Sequence, residues 1–223
     1  MDRLHRITLL LGKQAISKLK QSTVMVVGCG AVGSFAVEAL ARCGIGHIIL
    51  VDFDRVEESN INRQLFALES TLGQPKVDIA KKRIYDINPD IVVDAFDMFF
   101  DENNVPDVKP DFVIDAIDTV QSKIALYKWC ANNNIPFVSS MGAARKTDST
   151  KIKIANISKT SVCPLASKIR NQIRGLNLPD FPTVYSTESA TVQENGGREF
   201  GSIITVTGVF GLMLADYVVK KLI

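Results

Sequence analysis

The sequence predicts an α/β fold in which helices cover both faces of a mostly parallel sheet. Two observations support this prediction. Short apolar runs rich in β-branched residues alternate with longer amphipathic segments as far as residue 140, and a glycine-rich turn follows the first run. Such alternation is typical of a doubly wound sheet, where each helix returns the chain to the next parallel strand. With 223 residues, 46% of them apolar, the chain can bury one substantial core.

The elements predicted for the first 140 residues follow one another closely. Two short helical pieces open the chain and end near Leu19. Continuous apolar runs then predict buried strands, and apolar residues at helical spacing predict the helices between them. The predicted order is a strand at 23–28, a helix at 32–43, a strand at 47–51, a helix at 74–87, strands at 91–96 and 112–114, a helix at 120–132 and a strand at 137–140.

Beyond about residue 143 the regular alternation gives way to a mixed extension. A single domain of residues 1–223 would then consist of a core, residues 1–142, and this C-terminal extension, residues 143–223. Within the extension the sequence predicts a half-exposed strand at 151–157, a short basic helix at 167–176, a strand at 183–189, a loop at 193–198 and a closing helix at about 202–221.

Composition and charge exclude several classes of protein. The net charge of +2 gives no general attraction to nucleic acid or membranes. The charged N-terminus is unlike a signal peptide, and the longest apolar stretch, Ile203–Ala215, is about half the length of a bilayer span. We therefore expect a cytoplasmic protein without a membrane span. We also expect reduced thiols and no structural zinc, because zinc-ligand spacing is absent from the four cysteines, Cys29, Cys43, Cys130 and Cys163.

A phosphate-binding turn is the first functional motif. Gly28-Cys-Gly30-Ala31-Val-Gly33 fits G-x-G-x-x-G between a strand and a helix. Glycines let the backbone approach a phosphate, and the helix N-terminus offers unpaired N–H groups and the positive end of its dipole. Asp52 ends the next strand, 24 residues after Gly28, where a carboxylate can accept hydrogen bonds from ribose hydroxyls. These features alone favour a dinucleotide such as NAD or FAD.

The residues that follow Asp52 favour a nucleoside triphosphate instead. A triphosphate carries about four negative charges and needs more cations than a helix N-terminus supplies, usually with Mg²⁺. Arg63 and Lys76 lie just beyond the second predicted strand and can supply them. Taken one at a time, these two residues are more readily explained as surface charges, and Asn60 and Asn62 as turn residues.

Taken together, the motifs resemble the adenylation domain of the ubiquitin-activating-enzyme class. The resemblance runs from residue 3 to about 142, and Arg3-Leu-His-Arg6 is similar to the N-terminal R-x-x-R of that class. The other matching motifs are the glycine turn, Asp52-x-Asp54-x-Val-x-x-Ser-Asn60-x-x-Arg63-Gln64, Gly73-x-x-Lys76 and Asp115-x-x-Asp118.

This resemblance implies a Rossmann-like fold with residues 1–142 as an ATP-binding core, and ATP with Mg²⁺ as cofactors. Asp118 would hold Mg²⁺ beside the α-phosphate, although a helix cap is an alternative role for it. In dimers of the class an N-terminal arginine enters the partner's site, so the resemblance implies a homodimer in which Arg6, or else Arg3, would act in trans. Catalysis would then depend on Arg6, Arg63, Lys76 and Asp118. The implied nucleotide-binding set is Gly28, Gly30, Ala31, Gly33, Asp52, Asp54, Asn60, Arg63, Gln64, Lys76 and Asp118.

Further segments are similar to the branch of this class that dehydrates threonylcarbamoyladenosine in tRNA. The similarity implies that ATP adenylates the threonyl carboxylate and that the substrate's own carbamoyl group then closes a ring. Neither zinc nor a catalytic cysteine would be needed. The chain departs from this branch at Ala31, where a second glycine is common, and in a shorter segment between Ser189 and Phe200. The similar segments are residues 10–12, 38–46, 87–89, 115–118, 164–170, 184–188 and 201–208.

Two other functions remain open. One is an adenylyltransferase for the C-terminus of a ubiquitin-like sulfur carrier of the thiamine or molybdopterin type, with a possible sulfur-transfer partner. The absence of paired C-x-x-C motifs counts against it, and Cys163 is the only positional candidate for thioester chemistry. Cysteine is, however, commonly an inert apolar residue. The other is a non-enzymatic nucleotide-binding module, which the presence of Arg63, Lys76 and Asp118 disfavours.

Basic residues of the extension are candidates for contacts with tRNA. Lys168, Arg170 and Arg174 lie in or near the predicted basic helix, and Arg145 and Lys146 are additional candidates. Arg170 and Arg174 would share one helical face because they are four residues apart. Such residues would bind phosphates and read no bases, and a solvated basic face explains them equally well. The closing helix is expected to form core or a dimer interface.

Overall fold

The computed structural model describes residues 2–191 and 200–223, so the loop expected at 193–198 lies outside the described residues. In these residues the strands form one sheet. They are β1 (Thr23–Val27), β2 (His47–Asp52), β3 (Val92–Asp97), β4 (Phe112–Asp115), β5 (Phe137–Ser140), β6 (Ile152–Asn156) and β7 (Pro182–Ser186). The α-helices are α1 (His5–Gln21), α2 (Gly33–Cys43), α3 (Lys76–Ile87), α4 (Val120–Asn132), α5 (Pro164–Ile173) and α6 (Ile204–Leu222).

The strand order β3-β2-β1-β4-β5-β7-β6 confirms the doubly wound α/β fold. Every neighbouring pair is parallel except β6 and β7, which pair antiparallel and give the extension its mixed character. The chain builds the sheet outward from β1 to β3, then returns to the other side of β1 and continues with β4. A crevice therefore opens at the carboxyl ends of β1 and β4, which is the usual ligand position in such sheets.

Helices pack on both faces of the sheet because side chains alternate along the buried strands. In β1, Val24 and Val26 join the core beneath α2, α3 and α6, whereas Met25 and Val27 join the core beneath α4 and α5. α6 contributes Phe210 and Leu214 to the first core. One face of α6, the closing helix, therefore packs in the core. None of the helices in the described part of the chain is long and apolar enough to cross a membrane.

Two helices show how local chemistry sets their bounds. The first contains Gly12, whose φ of 84° and ψ of 161° interrupt the helix, in agreement with the two helical pieces that the sequence predicts. The predicted bounds of the basic helix, 167–176, were wrong: α5 begins at Pro164 and ends at Ile173. Proline is favoured in the first turn because its fixed φ suits a helix and its missing N–H costs nothing there.

This shift changes the expected arrangement of the basic residues. Arg174 caps α5 with extended backbone, at φ −60° and ψ 122°, so Arg170 and Arg174 do not form the helical i, i+4 pair that we predicted. Arg170 instead donates hydrogen bonds to the carbonyl and hydroxyl oxygens of Thr160. Lys168 and Arg174 remain exposed.

Candidate functional site

A cavity of about 560 Å³ lies at the carboxyl edge of the sheet. Residues from the turns after β1, β2, β4 and β5 line it. Its walls include most of the residues that the sequence indicated for nucleotide binding, namely Gly28, Gly30, Ala31, Asp52, Asp54, Arg63, Gln64, Lys76 and Asp118.

Two glycines of the turn after β1 are required by close packing. Gly28 has a φ of 93°, and a Cβ there would lie 2.6 Å from the carbonyl oxygen of Ala116. A Cβ on Gly33, the first residue of α2, would lie 1.7 Å from the Gly28 carbonyl oxygen. Gly33 is therefore a packing residue outside the cavity lining. Gly30 differs, because a Cβ there would meet only the Gln64 side chain, at 3.8 Å.

Asp52 connects this glycine turn to the end of β2. Its carboxylate accepts a hydrogen bond from the Cys29 N–H at 2.5 Å and another from the Asp54 N–H at 2.8 Å. Burial raises the pKa of Asp52, against the lowering effects of these two bonds and of the Lys76 charge. Each carboxylate oxygen still has a lone pair to offer a ligand.

The cationic side of the cavity is held by short contacts. Lys76 is buried, and its Nζ lies 2.7 Å from Oδ2 of Asp54, whose side chain is 48% exposed. The Arg63 guanidinium donates to the Ser59 carbonyl at 2.7 Å and to the Asn62 side chain at 2.9 Å. These contacts fix both positive charges at the cavity wall.

Asn60 does not line the cavity, unlike its neighbours Arg63 and Gln64. Its Oδ1 accepts from the Glu57 N–H at 3.2 Å, and its Nδ2 donates to the Ser59 hydroxyl at 3.2 Å. In this structure Asn60 shapes the turn that carries Arg63.

Asp118 reaches the cavity from the turn between β4 and α4. It is exposed and has no hydrogen-bond or ion-pair partner among the described residues. It does not cap α4, because the N-cap position belongs to Thr119, which makes no side-chain cap bond. A free carboxylate beside a cationic wall can ligate a hard cation such as Mg²⁺.

A buried polar network supports the Asp118 turn. Asp115 is fully buried, and its Oδ2 contacts Lys123 Nζ at 2.7 Å, the Tyr127 hydroxyl at 2.9 Å and the Ser139 hydroxyl at 2.5 Å. Lys123 also donates to the Ser140 carbonyl oxygen at 2.7 Å. Burial, with the Asp115 charge, raises the pKa of Tyr127. The network joins β4, α4 and β5.

The sequence indicated Asp115 but missed its partners. Lys123 and Tyr127 are four residues apart on α4, so they share a helical face. That spacing, eight and twelve residues after Asp115, was the available signal.

An aromatic wall lies at the β2–β3 end of the cavity and was also missed. Phe53 follows β2, and Met98, Phe99 and Phe100 follow β3. The rings of Phe53 and Phe99 meet edge to face, with centroids 4.9 Å apart. Apolar residues directly after two strands of a parallel sheet were the available signal.

The opposite end of the cavity belongs to the extension and the turn after β5. Arg145 and Lys146 line it, as does Cys163, which is buried at the N-cap of α5. No group of three or more His, Cys, Asp or Glu side chains suited to hold a metal ion occurs within residues 2–191 and 200–223.

Neither N-terminal arginine lines the cavity of its own chain. Arg3 donates to the Asn88 side chain at 2.8 Å and to the Ile87 carbonyl at 3.3 Å, beside the C-terminus of α3. Arg6 is exposed on α1 and has no such contact among the described residues.

The fold and this cavity together define a nucleotide-binding protein with a ligand site at the reversal of strand order. Residues 2–223 match the ThiF family, and the chain belongs to that family.

Its relatives include named enzymes of similar length. The tRNA threonylcarbamoyladenosine dehydratase of Bacillus subtilis is 44% identical over 242 residues, which cover 100% of this chain and 95% of that protein. The crystal structure of Escherichia coli tRNA N6-threonylcarbamoyladenosine dehydratase, TcdA, in complex with AMP is 36% identical, with a TM-score of 0.93, covering 99% of this chain and 93% of that chain. The complex of the same enzyme with ATP gives a TM-score of 0.92, with the same identity and coverage.

The two glycines Gly33 and Gly30 should respond differently to alanine. We expect Gly33→Ala to lower the free energy of unfolding by several kcal/mol, because its Cβ would overlap a backbone oxygen. Gly30→Ala should leave stability within about 1 kcal/mol but weaken ATP binding, because its Cβ enters the cavity. Urea unfolding of both variants measures the free energy of unfolding, and ATP titration measures the affinity for ATP. Equal stability of the two variants would contradict the packing role of Gly33.

Proposed function

We propose that this protein uses ATP to adenylate the threonyl carboxylate of threonylcarbamoyladenosine in tRNA, and that the adenylate then cyclises with net loss of water. The observation that carries the proposal is the composition of one cavity: a glycine turn, two fixed cations and a free carboxylate lie together on its walls. The names of the Bacillus subtilis and Escherichia coli relatives, which match over nearly the whole chain, support this choice of substrate.

ATP fits the cavity in one direction along the sheet edge. The adenine base lies against the aromatic wall of Phe53 and Met98–Phe100, since apolar and aromatic surface suits a flat base. The ribose hydroxyls donate to the free lone pairs of Asp52, and the phosphates follow the glycine turn to the N-terminus of α2. This direction leaves the β5 end of the cavity for the acyl substrate.

Arg63 and Lys76 bind the β- and γ-phosphates and stabilise the charge that grows on leaving pyrophosphate. Because neighbouring groups already fix both side chains in the free protein, little reorganisation accompanies binding. Preorganised cations of this kind lower the barrier most effectively in a site that excludes water.

The Asp118 carboxylate is the residue that would hold Mg²⁺, together with phosphate oxygens and water. Its lack of a protein partner fits this role, because Mg²⁺ sites commonly use one or two carboxylates plus substrate phosphates. The bound ion would neutralise charge on the phosphates.

The chemistry requires no protein nucleophile. A carboxylate oxygen attacks the α-phosphorus in line, an O–P bond forms, and the bond to pyrophosphate breaks. An atom of the carbamoyl group then attacks the activated acyl carbon and displaces AMP. Cys163 is buried at the cavity wall, and neither of these reaction steps uses its thiol.

Dimer formation and contacts with tRNA belong to the same proposed function. The protein acts in the cytoplasm as a homodimer, and the extension, residues 143–223, forms the substrate side and part of the dimer interface. Exposed Lys168 and Arg174 bind tRNA phosphates, whereas Arg170 is partly engaged by Thr160. Arg6 enters the partner's cavity, because Arg3 already binds α3 of its own chain.

Exchange of labelled pyrophosphate into ATP tests the adenylation step. We expect exchange only when tRNA carrying threonylcarbamoyladenosine is present, and we expect Asp118→Asn to reduce it about 100-fold or more, because charge stabilisation at the phosphates is lost. Asp107→Asn, at an exposed position outside the cavity, is the control.

Other outcomes of this experiment point elsewhere. Exchange with a carrier protein ending in Gly-Gly, and none with the modified tRNA, would favour the sulfur-carrier alternative. No exchange with either substrate, from a folded protein that binds ATP, would contradict an enzymatic function.

A mixing experiment tests the role of Arg6 in trans. Arg6→Ala and Asp118→Asn should each be inactive alone, yet an exchanged mixture should recover about a quarter of wild-type activity. The reason is that half the dimers are then mixed, and each mixed dimer has one intact site. Arg3→Ala mixed with Asp118→Asn is the matched control. No recovery in the Arg6→Ala mixture, with dimer exchange verified, would contradict action in trans.

A further inference from the structure

Lys146 is a buried cation that the nucleotide site does not use. It follows β5, is only 3% exposed, and lines the cavity. Its ammonium group donates to the carbonyl oxygen of Glu188, which follows β7. Among the described residues, no carboxylate forms an ion pair with it.

The nearby Glu188 carboxylate is bound by other groups. It accepts from the N–H groups of Asp148 at 3.0 Å and Thr147 at 3.1 Å, and from the Thr147 hydroxyl at 3.0 Å. These hydrogen bonds hold the pKa of Glu188 below its usual range, and the bond from the Asp148 N–H has the largest effect. The carboxylate thus fixes the turn after Lys146. The Lys146 charge also contributes to its lowered pKa, but the ammonium donates to the Glu188 carbonyl oxygen and not to this carboxylate.

The ammonium group therefore has donors left for a ligand. It has three N–H groups, and the Glu188 carbonyl takes one of them. A buried charge is costly to the folded state unless an anion or a full set of hydrogen bonds compensates it. A buried lysine on a cavity wall with N–H donors left free therefore indicates that the cavity binds an anionic ligand.

The position of Lys146 along the sheet indicates which anion this is. Asp52 marks the β2 end, the glycine turn follows at β1, Asp118 at β4, and Lys146 lies beyond them at β5 and β7. In-line attack brings the carboxylate to the α-phosphorus from the side opposite to pyrophosphate. In the ATP pose proposed above, Arg63 and Lys76 hold pyrophosphate, and the end of the cavity left for the carboxylate is the β5 end, which Lys146 lines.

We propose that the Lys146 ammonium binds the carboxylate of the acyl substrate and holds it for attack on the α-phosphorus. This inference rests on the proposed function. A carboxylate approaching a triphosphate is repelled by like charge, and a fixed cation at the carboxylate offsets the repulsion. Lys146 keeps its proton throughout: the O–P bond forms, the bond to pyrophosphate breaks, and the cation remains with the acyl group.

The test compares tRNA that carries threonylcarbamoyladenosine with the same tRNA carrying adenosine at that position. Lys146→Gln keeps a donor for the Glu188 carbonyl but removes the charge. We expect it to lower kcat/KM for the modified tRNA roughly 10- to 100-fold, mainly through KM, because a charge-assisted contact is lost. The Kd of ATP and the affinity for unmodified tRNA should stay within about twofold, since neither involves the carboxylate.

Two further variants serve as controls. Lys146→Arg keeps the charge, so it should lose less activity than Lys146→Gln. Lys146→Met, which also removes the charge and is of similar length, replaces Lys146→Gln in the comparison if thermal unfolding shows that Lys146→Gln does not fold. Lys168→Gln removes an exposed charge on α5, and it should weaken modified and unmodified tRNA equally.

Three results would overturn the assignment. Equal weakening of both tRNAs by Lys146→Gln would mean that Lys146 binds a tRNA phosphate. An unchanged kcat/KM would mean that it binds no substrate group. Absence of any exchange by the wild-type protein would instead contradict the proposed function, and the assignment would fall with it.

Discussion

The close approach of Gly33 to the carbonyl oxygen of Gly28 is the constraint on which the rest of the site depends. A Cβ at Gly33 would lie 1.7 Å from that oxygen, so α2 can start this near to β1 only because the residue is glycine. The N–H groups at the start of α2 then face the crevice between β1 and β4. Asp52 completes the turn by accepting the Cys29 N–H, which ties β2 to the same crevice.

A second constraint fixes the part of the cavity wall at the carboxyl ends of β4 and β5. The buried Asp115–Lys123 pair joins β4 to the end of β5, and Lys123 also binds the Ser140 carbonyl oxygen. Breaking a buried pair by removing one partner is strongly destabilising, so the network holds the ends of β4 and β5 together. Asp118 and Lys146 extend from the two strand ends that the network fixes. In the proposed reaction this arrangement would hold the carboxylate and ATP at a set separation, which is the main requirement for transfer of an adenylyl group to a carboxylate.

The sequence predicted the sheet and most helices because apolar runs and helical spacing are local signals of burial. It also indicated Asp52, Arg63 and Lys76 for one nucleotide site, because Asp52 ends the second predicted strand, the other two follow it, and all three match motifs of the adenylation domain. Contacts between distant segments gave no such signal. The sequence offered Lys146 only as an additional candidate for tRNA contacts, whereas the structure buries it against Glu188, 42 residues away, on the cavity wall. The start of α5 at Pro164 was missed because the prediction followed the basic residues instead.

The central claim is that a substrate carboxylate attacks the α-phosphorus of ATP, and transfer of an oxygen label tests it most directly. The threonyl carboxylate of threonylcarbamoyladenosine in tRNA is labelled with ¹⁸O, the protein and ATP are added, and the AMP released is measured by mass spectrometry. The account predicts one ¹⁸O atom in the phosphate of AMP, because the carboxylate oxygen that forms the O–P bond stays with AMP when the ring closes. Unlabelled AMP, or ADP and phosphate as products, would contradict it.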